Sequence, residues 1–276
     1  MNSFLYDVLR VLRNRGVLLV MLLTTLLSFV ALTIFVAVAR PLSAFQVNAD
    51  QTIVVLIMGM IYAFFVPILG IQSGYSTYAR DRATGVLESV MVRPVTRERI
   101  ILSRYLAVVI ASALAIAVAL GLLDLISVFE TGYALPSVQL VGLFLGLLVE
   151  SVAFAGLLFL LAHLLRSPGA IMGSAVVVFV LIDIVWFFLL LFVGVFFGGL
   201  STTSGLSRVV GLEYVDPSGF PLLVMAFVQG GLFGGLIQPP GGLGSIGISV
   251  PLLVVAGLFW SIVPFLLALW IARTRD

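Results

Sequence analysis

Six long apolar stretches separated by short polar ones set the hydrophobic pattern of this chain. Each is long enough to cross the hydrocarbon core of a bilayer as a helix, which takes about 20 residues. The pattern therefore predicts an all-α, polytopic membrane protein with one transmembrane domain over residues 1–276. The predicted spans are residues 16–39, 52–72, 105–129, 140–165, 170–198 and 251–271.

Residues 1–15 carry an amphipathic pattern. An apolar stripe that includes Phe4 and Leu12 lies opposite a polar stripe that includes Asp7 and Arg10. This spacing predicts an amphipathic helix that lies in the membrane interface before the chain enters the bilayer.

Residues 199–250 form the longest segment between spans. We interpret them as an outer loop that carries one or two short helices, and Asp216-Pro217 with Pro221 is suitable chemistry for a helix start. The alternative is a seventh span over residues 220–237, which is apolar but interrupted by Gly pairs.

The positions of the arginines predict how the six spans are oriented in the membrane. Hydrophobic residues make up 62% of the chain and charged ones 9%, and all but two arginines lie in polar stretches on one side of the six spans. Only Arg40 and Arg208 lie in the alternate gaps. Because arginine concentrates in cytoplasmic loops, we expect both termini and the 73–104 loop to be cytoplasmic.

Several function classes are excluded by composition. The chain has no Cys, and all fourteen of its basic residues are Arg. Without Lys it lacks the P-loop lysine and cannot hydrolyse ATP by that route. No catalytic constellation, metal site or cofactor site is found, and the basic residues form no nucleic-acid surface.

The 73–104 loop carries the most informative motif. Residues 81–97 are predicted to form a short helix with an apolar face that includes Leu87 and Met91. Gly85 interrupts the continuation of the second span, Pro94 ends the short helix, and Thr96 is placed to cap the next one. Such a helix is able to dock in a groove of a partner protein. The alternative is a solvated connector that rests on lipid.

This motif resembles that of the type-2 ABC exporter permeases. The matching positions are Gly85, Glu88, Arg93, Pro94, Val95, Thr96, Arg97, Ser103, Arg104 and Tyr105. The chain departs from the family pattern at Arg82 and Val86, which bears on the choice of ATPase partner. The interfacial helix, six spans and large outer loop fit the same family, as does Asp216-Pro217 at the place of a frequent Asn-Pro pair.

The resemblance implies a permease subunit of an ATP-binding-cassette exporter in the cell membrane of a prokaryote. Separate ATPase subunits would bind ATP and Mg, and a second copy or a sister permease would complete the complex. The implied ATPase-coupling residues are Asp81, Thr84, Gly85, Leu87, Glu88, Met91, Arg93, Pro94, Val95, Thr96 and Arg97.

Three carboxyl residues fall within predicted spans: Asp124, Glu150 and Asp183. Ionisable groups are costly at such depth, so each is expected to face protein or water, either on a substrate path or as a polar contact in the bundle. Glu150 shares a small-residue stripe with Gly142 and Gly146, and Asp124 ends a stripe of small residues, as expected at close helix contacts. The lone His163 is expected to be structural. An ATP-independent transporter or channel that uses Glu150 and Asp183 is the alternative function; an intramembrane enzyme is disfavoured.

Overall fold

A computed structural model describes residues 3–39, 47–87, 96–196, 203–228 and 248–274. These residues are almost entirely helical and contain no strand, which confirms the predicted all-α class. The α-helices are α1 (Ser3–Leu12), α2 (Arg15–Ala39), α3 (Val47–Gly74), α4 (Arg80–Ala83), α5 (Arg97–Thr131), α6 (Ser137–Leu164), α7 (Pro168–Phe179), α8 (Trp186–Phe196), α9 (Thr203–Glu213), α10 (Phe220–Val228) and α11 (Val250–Thr274). Two π-helical segments, Tyr75–Ala79 and Val180–Val185, join α3 to α4 and α7 to α8.

Within these ranges six helices are long and apolar enough to cross a membrane, as predicted. They are Arg15–Ala37, Ile57–Ala83, Arg97–Thr131, Ser137–Leu164, Pro168–Phe196 and Val250–Thr274. The N-terminal amphipathic segment forms α1.

The second and third spans are longer than predicted. Helical structure continues through α4 to Ala83, and α5 begins at Arg97, so the segment between them is shorter than the 73–104 loop. The polar residues that suggested a loop are accommodated inside the helix, because the Thr77 hydroxyl donates to the Ser73 carbonyl oxygen at 2.7 Å. Both side chains are buried in the bundle.

Helix α6 occupies the centre of the bundle. Of its apolar stretch 67% is buried, against 11% for Pro168–Phe196, whose side chains face outward. Small residues permit this central position, because a Cβ at Gly70 of α3 would lie 2.2 Å from the Ser151 carbonyl oxygen of α6. In a lipid environment such close packing holds helices together, since the surrounding tails are as apolar as the side chains.

Of the two predicted small-residue stripes, one lies at a close helix contact and the other does not. The stripe on α6 is a close contact, because Cβ atoms at Gly142 and Gly146 would lie 2.8 Å from Val228 and 2.6 Å from the Pro221 Cα atom. The prediction for α5 is wrong, since Gly121 is exposed and nothing lies within 4 Å of a Cβ placed there.

The described part of residues 199–250 contains helices α9 and α10. Residues 229–237, which the seventh-span alternative requires, lie outside the described residues.

An aromatic contact fixes α5 against α11. The Tyr105 ring stacks on Phe265 with centroids 3.8 Å apart, and its hydroxyl donates to the Ser261 carbonyl oxygen at 2.7 Å. Tyr105 belongs to the motif quoted above, and here it joins two spans at the start of α5.

Candidate functional site

The charged end of the bundle, where α1, α4 and the start of α5 meet, centres on Asp81. Its carboxylate accepts two hydrogen bonds from the Arg10 guanidinium, at 2.7 and 2.8 Å. Arg104 of α5 donates to the same carboxylate at 2.8 Å. We call these three side chains the Asp81 junction. They join the N-terminal helix, the second span and the third span through one acidic side chain.

Burial makes the loss of a partner more costly at the junction than at a surface ion pair. Asp81 and Arg104 each retain 9% of their side-chain exposure, and Arg10 retains 32%. A bidentate arginine–carboxylate pair is geometrically well matched, and loss of one partner from a buried pair leaves a charge uncompensated. The Asp81 hydrogen bond raises the pKa of the Arg10 guanidinium, so Arg10 stays charged.

The π-helical segment Tyr75–Ala79 supplies a further acceptor at this place. Arg104 donates to the Thr77 carbonyl oxygen at 2.6 Å, in addition to Asp81. A π-helical turn displaces carbonyl groups from their usual intrahelical partners and is frequent at functional sites. Here the π-helical turn allows the buried Arg104 guanidinium to bind both the Thr77 carbonyl oxygen and the Asp81 carboxylate.

Arg82 ties the same turn to the central helix. Its guanidinium donates to the Ala162 carbonyl oxygen in the last turn of α6. A cation is favourable there because the carbonyl groups of the final turn carry partial negative charge. The departure from the family pattern at Arg82 therefore has a structural role in this chain.

His163 occupies the same end of α6 and contacts the π-helical segment. Its Nε2 atom lies 2.7 Å from the Tyr78 hydroxyl oxygen. The Tyr78 ring also stacks on Phe159, with centroids 4.5 Å apart. These contacts hold the π-helical segment against α6.

The turn after α4 begins the predicted coupling segment. Gly85 has a φ of 75°, a left-handed conformation that favours glycine, and it follows Thr84 at the end of α4. Leu87 is buried at 3% exposure, while Val86 is 48% exposed. The predicted helix break at Gly85 is thus observed. Asp81 belongs to α4 and is not part of a separate helix.

Five of the predicted coupling residues lie outside the described residues: Glu88, Met91, Arg93, Pro94 and Val95.

The start of α5 lies at Thr96 and Arg97. The Thr96 carbonyl oxygen accepts from the backbone N–H groups of Arg99 and Ile100, at 3.1 and 3.3 Å. The side chain of Thr96 makes no capping hydrogen bond, so that detail of the prediction is wrong.

An exposed ion pair connects the third and sixth spans at the charged end. The Arg273 guanidinium donates to both carboxylate oxygens of Glu98 at 2.7 Å. Both side chains are largely in solvent, so the pair orients the helix ends but adds little stability.

The three intramembrane carboxyl groups have different environments. Asp124 accepts a hydrogen bond from the Leu135 backbone N–H at 2.7 Å and closes the connection between α5 and α6. This contact satisfies Asp124 locally. Glu150 and Asp183, by contrast, make no hydrogen bond to any described residue.

Asp183 lies in the π-helical segment Val180–Val185 and lines a cleft with Glu213 and Asp216. We call this space, about 380 Å³, the carboxylate cleft. It lies between α3, α8 and the segment that connects α9 to α10. Asp216 is satisfied by Ser218, whose backbone N–H and hydroxyl both donate to the carboxylate.

Burial at the cleft favours the protonated form of its carboxyl groups. Burial raises the pKa of Glu213 to about 7, with a further rise from the nearby Asp216 charge. Burial likewise raises the pKa of Asp216 to about 6 despite its hydrogen bonds to Ser218. Within the described part of the chain, no arginine forms an ion pair with a cleft carboxyl.

The sequence alone did not identify Arg10, Glu213 or Asp216 as members of these sites. Arg10 was recognised only as a residue of a polar helix face, and Asp216 only as part of a helix start. Their roles depend on contacts between residues far apart in sequence, such as the 71 positions between Arg10 and Asp81. Among the described residues, no group of three or more His, Cys, Asp or Glu side chains is suited to hold a metal ion.

The helices and the charged end together define a class, the multi-pass α-helical membrane proteins. Comparison with protein families gives the assignment within that class. A family profile described as ABC-2 family transporter protein matches residues 1–276, and the chain belongs to this family. Such chains are membrane subunits of ABC transporters and work with separate ATPase subunits. No curated protein matches the chain.

Proposed function

We propose that this chain is the permease subunit of an ATP-driven exporter in a prokaryotic cell membrane. Two copies, or one copy and a sister permease, form the pathway, and both termini face the cytoplasm. ATP and Mg bind to partner ATPase subunits. Membership of the ABC-2 family supports the permease role, and the absence of any Lys agrees with an ATPase site on another chain.

The Asp81 junction is the observation that carries the coupling part of this proposal. It lies just before the Gly85 turn, where the family motif begins, and reaches α1 through Arg10 and α5 through Arg104. Arg82 adds a contact to the end of α6. A displacement of residues 81–97 is therefore transmitted directly to three other helices.

In this mechanism, ATP-dependent closure of the ATPase pair pushes on residues 81–97 and favours one arrangement of the spans. Nucleotide binding shifts the equilibrium only by its differential affinity for the two arrangements. Buried ion pairs suit such a relay, because they move as a unit while their partners stay together. Asp81, Thr84, Gly85 and Leu87 then act as coupling residues, with the motif from Glu88 to Arg97 as the docking surface.

Co-purification with a candidate ATPase from the same genome tests the proposal. We expect the wild-type chain to retain the ATPase, and Gly85→Pro or the Glu88→Arg/Arg93→Glu pair to release it while membrane insertion is unchanged. Normal ATPase binding by these variants would refute the coupling assignment. ATP-independent, pH-driven flux in reconstituted vesicles would instead support the alternative transporter that uses Glu150 and Asp183.

A further inference from the structure

The carboxylate cleft contains two carboxyl groups, Asp183 and Glu213, that the coupling mechanism does not use. Asp183 and Glu213 are half-buried, line the cleft, and make no hydrogen bond to another described residue. Asp216 is buried at 5% exposure beside them. An ionised carboxyl group without a partner is costly in such a place, and a bound cation would neutralise it as a proton does.

Glu150 of α6 is a second and independent observation at the same place. It is fully buried, and both of its carboxyl oxygens lack a hydrogen-bond partner among the described residues. Gly142 packs against Val228 and Val224, and Gly146 packs one turn further along α6 against Pro221. The next turn of α6 brings Glu150 to the segment that precedes Pro221.

That segment contains Asp216. The unpartnered carboxyl group of α6 therefore lies on the helix face that packs against this segment, whose residues Asp216 and Ser218 line the cleft.

The rest of the lining determines what sort of ligand fits. Aromatic rings of Phe64, Trp186 and Phe187 border the cleft together with the aliphatic side chains of Met60, Leu190 and Leu222. Aromatic faces attract cations, and apolar walls accept the body of an amphiphilic molecule. A sugar would find few hydrogen-bond donors here, and the cleft lacks the ligand geometry of a metal site.

We propose that the carboxylate cleft binds an amphiphilic organic cation, with a protonated or quaternary nitrogen beside Asp183 and Glu213 and an apolar body against the aromatic rings. Within the transporter proposed above this cation is the cargo class, and that part of the inference rests on the proposed function. Binding itself requires neither ATP nor the ATPase.

Tryptophan fluorescence of the full chain in lipid nanodiscs tests the proposal. The chain has three Trp residues, and Trp260→Phe/Trp270→Phe leaves Trp186 in the cleft as the reporter. The probe is benzyltrimethylammonium, whose charge is independent of pH, and the matched neutral compound is its carbon isostere neopentylbenzene. We expect saturable quenching or a spectral shift by the cation and none by the isostere beyond partition into lipid.

In the same Trp186 background, Asp183→Asn/Glu213→Gln should weaken cation binding about tenfold or more, the scale of lost charge and cation–π contacts. These neutral amides are less costly to bury than carboxylates, so loss of folding is not the expected cause. Phe187→Leu should give a smaller loss. Glu130→Gln, which removes a carboxyl that interacts with Thr33 outside the cleft, should bind as the parent does.

Equal response to the cation and the isostere would overturn the proposal, as would unchanged affinity in Asp183→Asn/Glu213→Gln. Titration of the cleft by protons alone, without cation binding, would also overturn it. Because this assay omits the ATPase, a negative result leaves the proposed permease role intact. That role is judged separately by ATPase co-purification.

Discussion

Arg10 binds both carboxylate oxygens of Asp81, at 2.7 and 2.8 Å, and so connects the N-terminal helix α1 to the end of the second span. Arg104 completes the junction from the third span at 2.8 Å. The amphipathic N-terminal helix therefore has a specific polar contact with the bundle. It is attached to the turn from which the family motif extends.

Asp81→Asn should destabilise the protein strongly. The substitution leaves the buried Arg104 guanidinium without its charged partner, and breaking a buried pair costs about 3–5 kcal/mol. We expect a fall in melting temperature of roughly 5–10 °C, measured by thermal unfolding in detergent. Glu98→Gln is the matched control, because it removes an arginine–carboxylate pair of similar geometry that is exposed. A similar fall for both variants would contradict the importance of burial at Asp81.

Gly85→Ala should be destabilising for conformational reasons alone. The φ of 75° is unfavourable for residues with a Cβ, at a cost of about 1–2 kcal/mol, yet nothing lies within 4 Å of a Cβ at this position. Thermal unfolding should show a clear loss for Gly85→Ala and a smaller one for Gly85→Asn, since Asn tolerates this conformation better. Gly169→Ala also meets open space but has no positive φ, and it should be neutral. Equal behaviour of Gly85→Ala and Gly169→Ala would refute this account.

Gly146→Ala should displace α10 from the central helix. The new Cβ would lie 2.6 Å from the Pro221 Cα atom, which is main chain and cannot move aside as a side chain would. Overpacking of this sort costs about 1–3 kcal/mol. Gly121→Ala introduces the same methyl group where nothing lies within 4 Å, and it should be harmless. Parallel melting curves in detergent provide the comparison, and an unaltered curve for Gly146→Ala would show that the helices do not approach as described.

Glu213→Gln should stabilise the protein in a pH-dependent manner. The pKa of Glu213 is raised to about 7, so the folded state binds more protons than the unfolded state between the ordinary glutamate pKa and pH 7. Wild-type stability therefore falls as pH rises through this window, and the amide removes that loss. We expect the variant to melt about 2–4 °C above wild type at pH 8, with little difference near pH 4. A constant difference across this pH range would contradict a raised pKa at Glu213.

Much of the fold follows from local sequence signals. The spans are identifiable because each must be apolar over its whole length, and the Gly85 break because glycine readily adopts a positive φ. The sequence does not show the extension of the second span to Ala83, because polar residues such as Thr77 interrupt the apolar stretch. In the structure Thr77 is buried and its hydroxyl bonds to its own helix.

The candidate sites were harder to foresee because they depend on which helix faces meet. Asp183 and Asp216 are 33 positions apart, and only the fold brings them to one cleft. A stripe of small residues predicts a close helix contact correctly at Gly146 but not at Gly121. Such a stripe permits close approach, but it does not determine whether another helix packs against it. The hydrogen-bond partner of Asp124 likewise depends on the fold, because the donor is the backbone N–H of Leu135.

Cross-linking from a single cysteine tests most directly whether the turn after Asp81 contacts an ATPase subunit. The natural chain has no Cys, so Val86→Cys, an exposed position beside Gly85, and Val128→Cys, an exposed position near the opposite end of α5, form a matched pair. Each variant is co-purified with the ATPase and treated with a maleimide–benzophenone cross-linker under light. The account predicts a cross-linked ATPase product from Val86→Cys and none from Val128→Cys. An intact complex that yields no product from Val86→Cys, or yields it only from Val128→Cys, would contradict it.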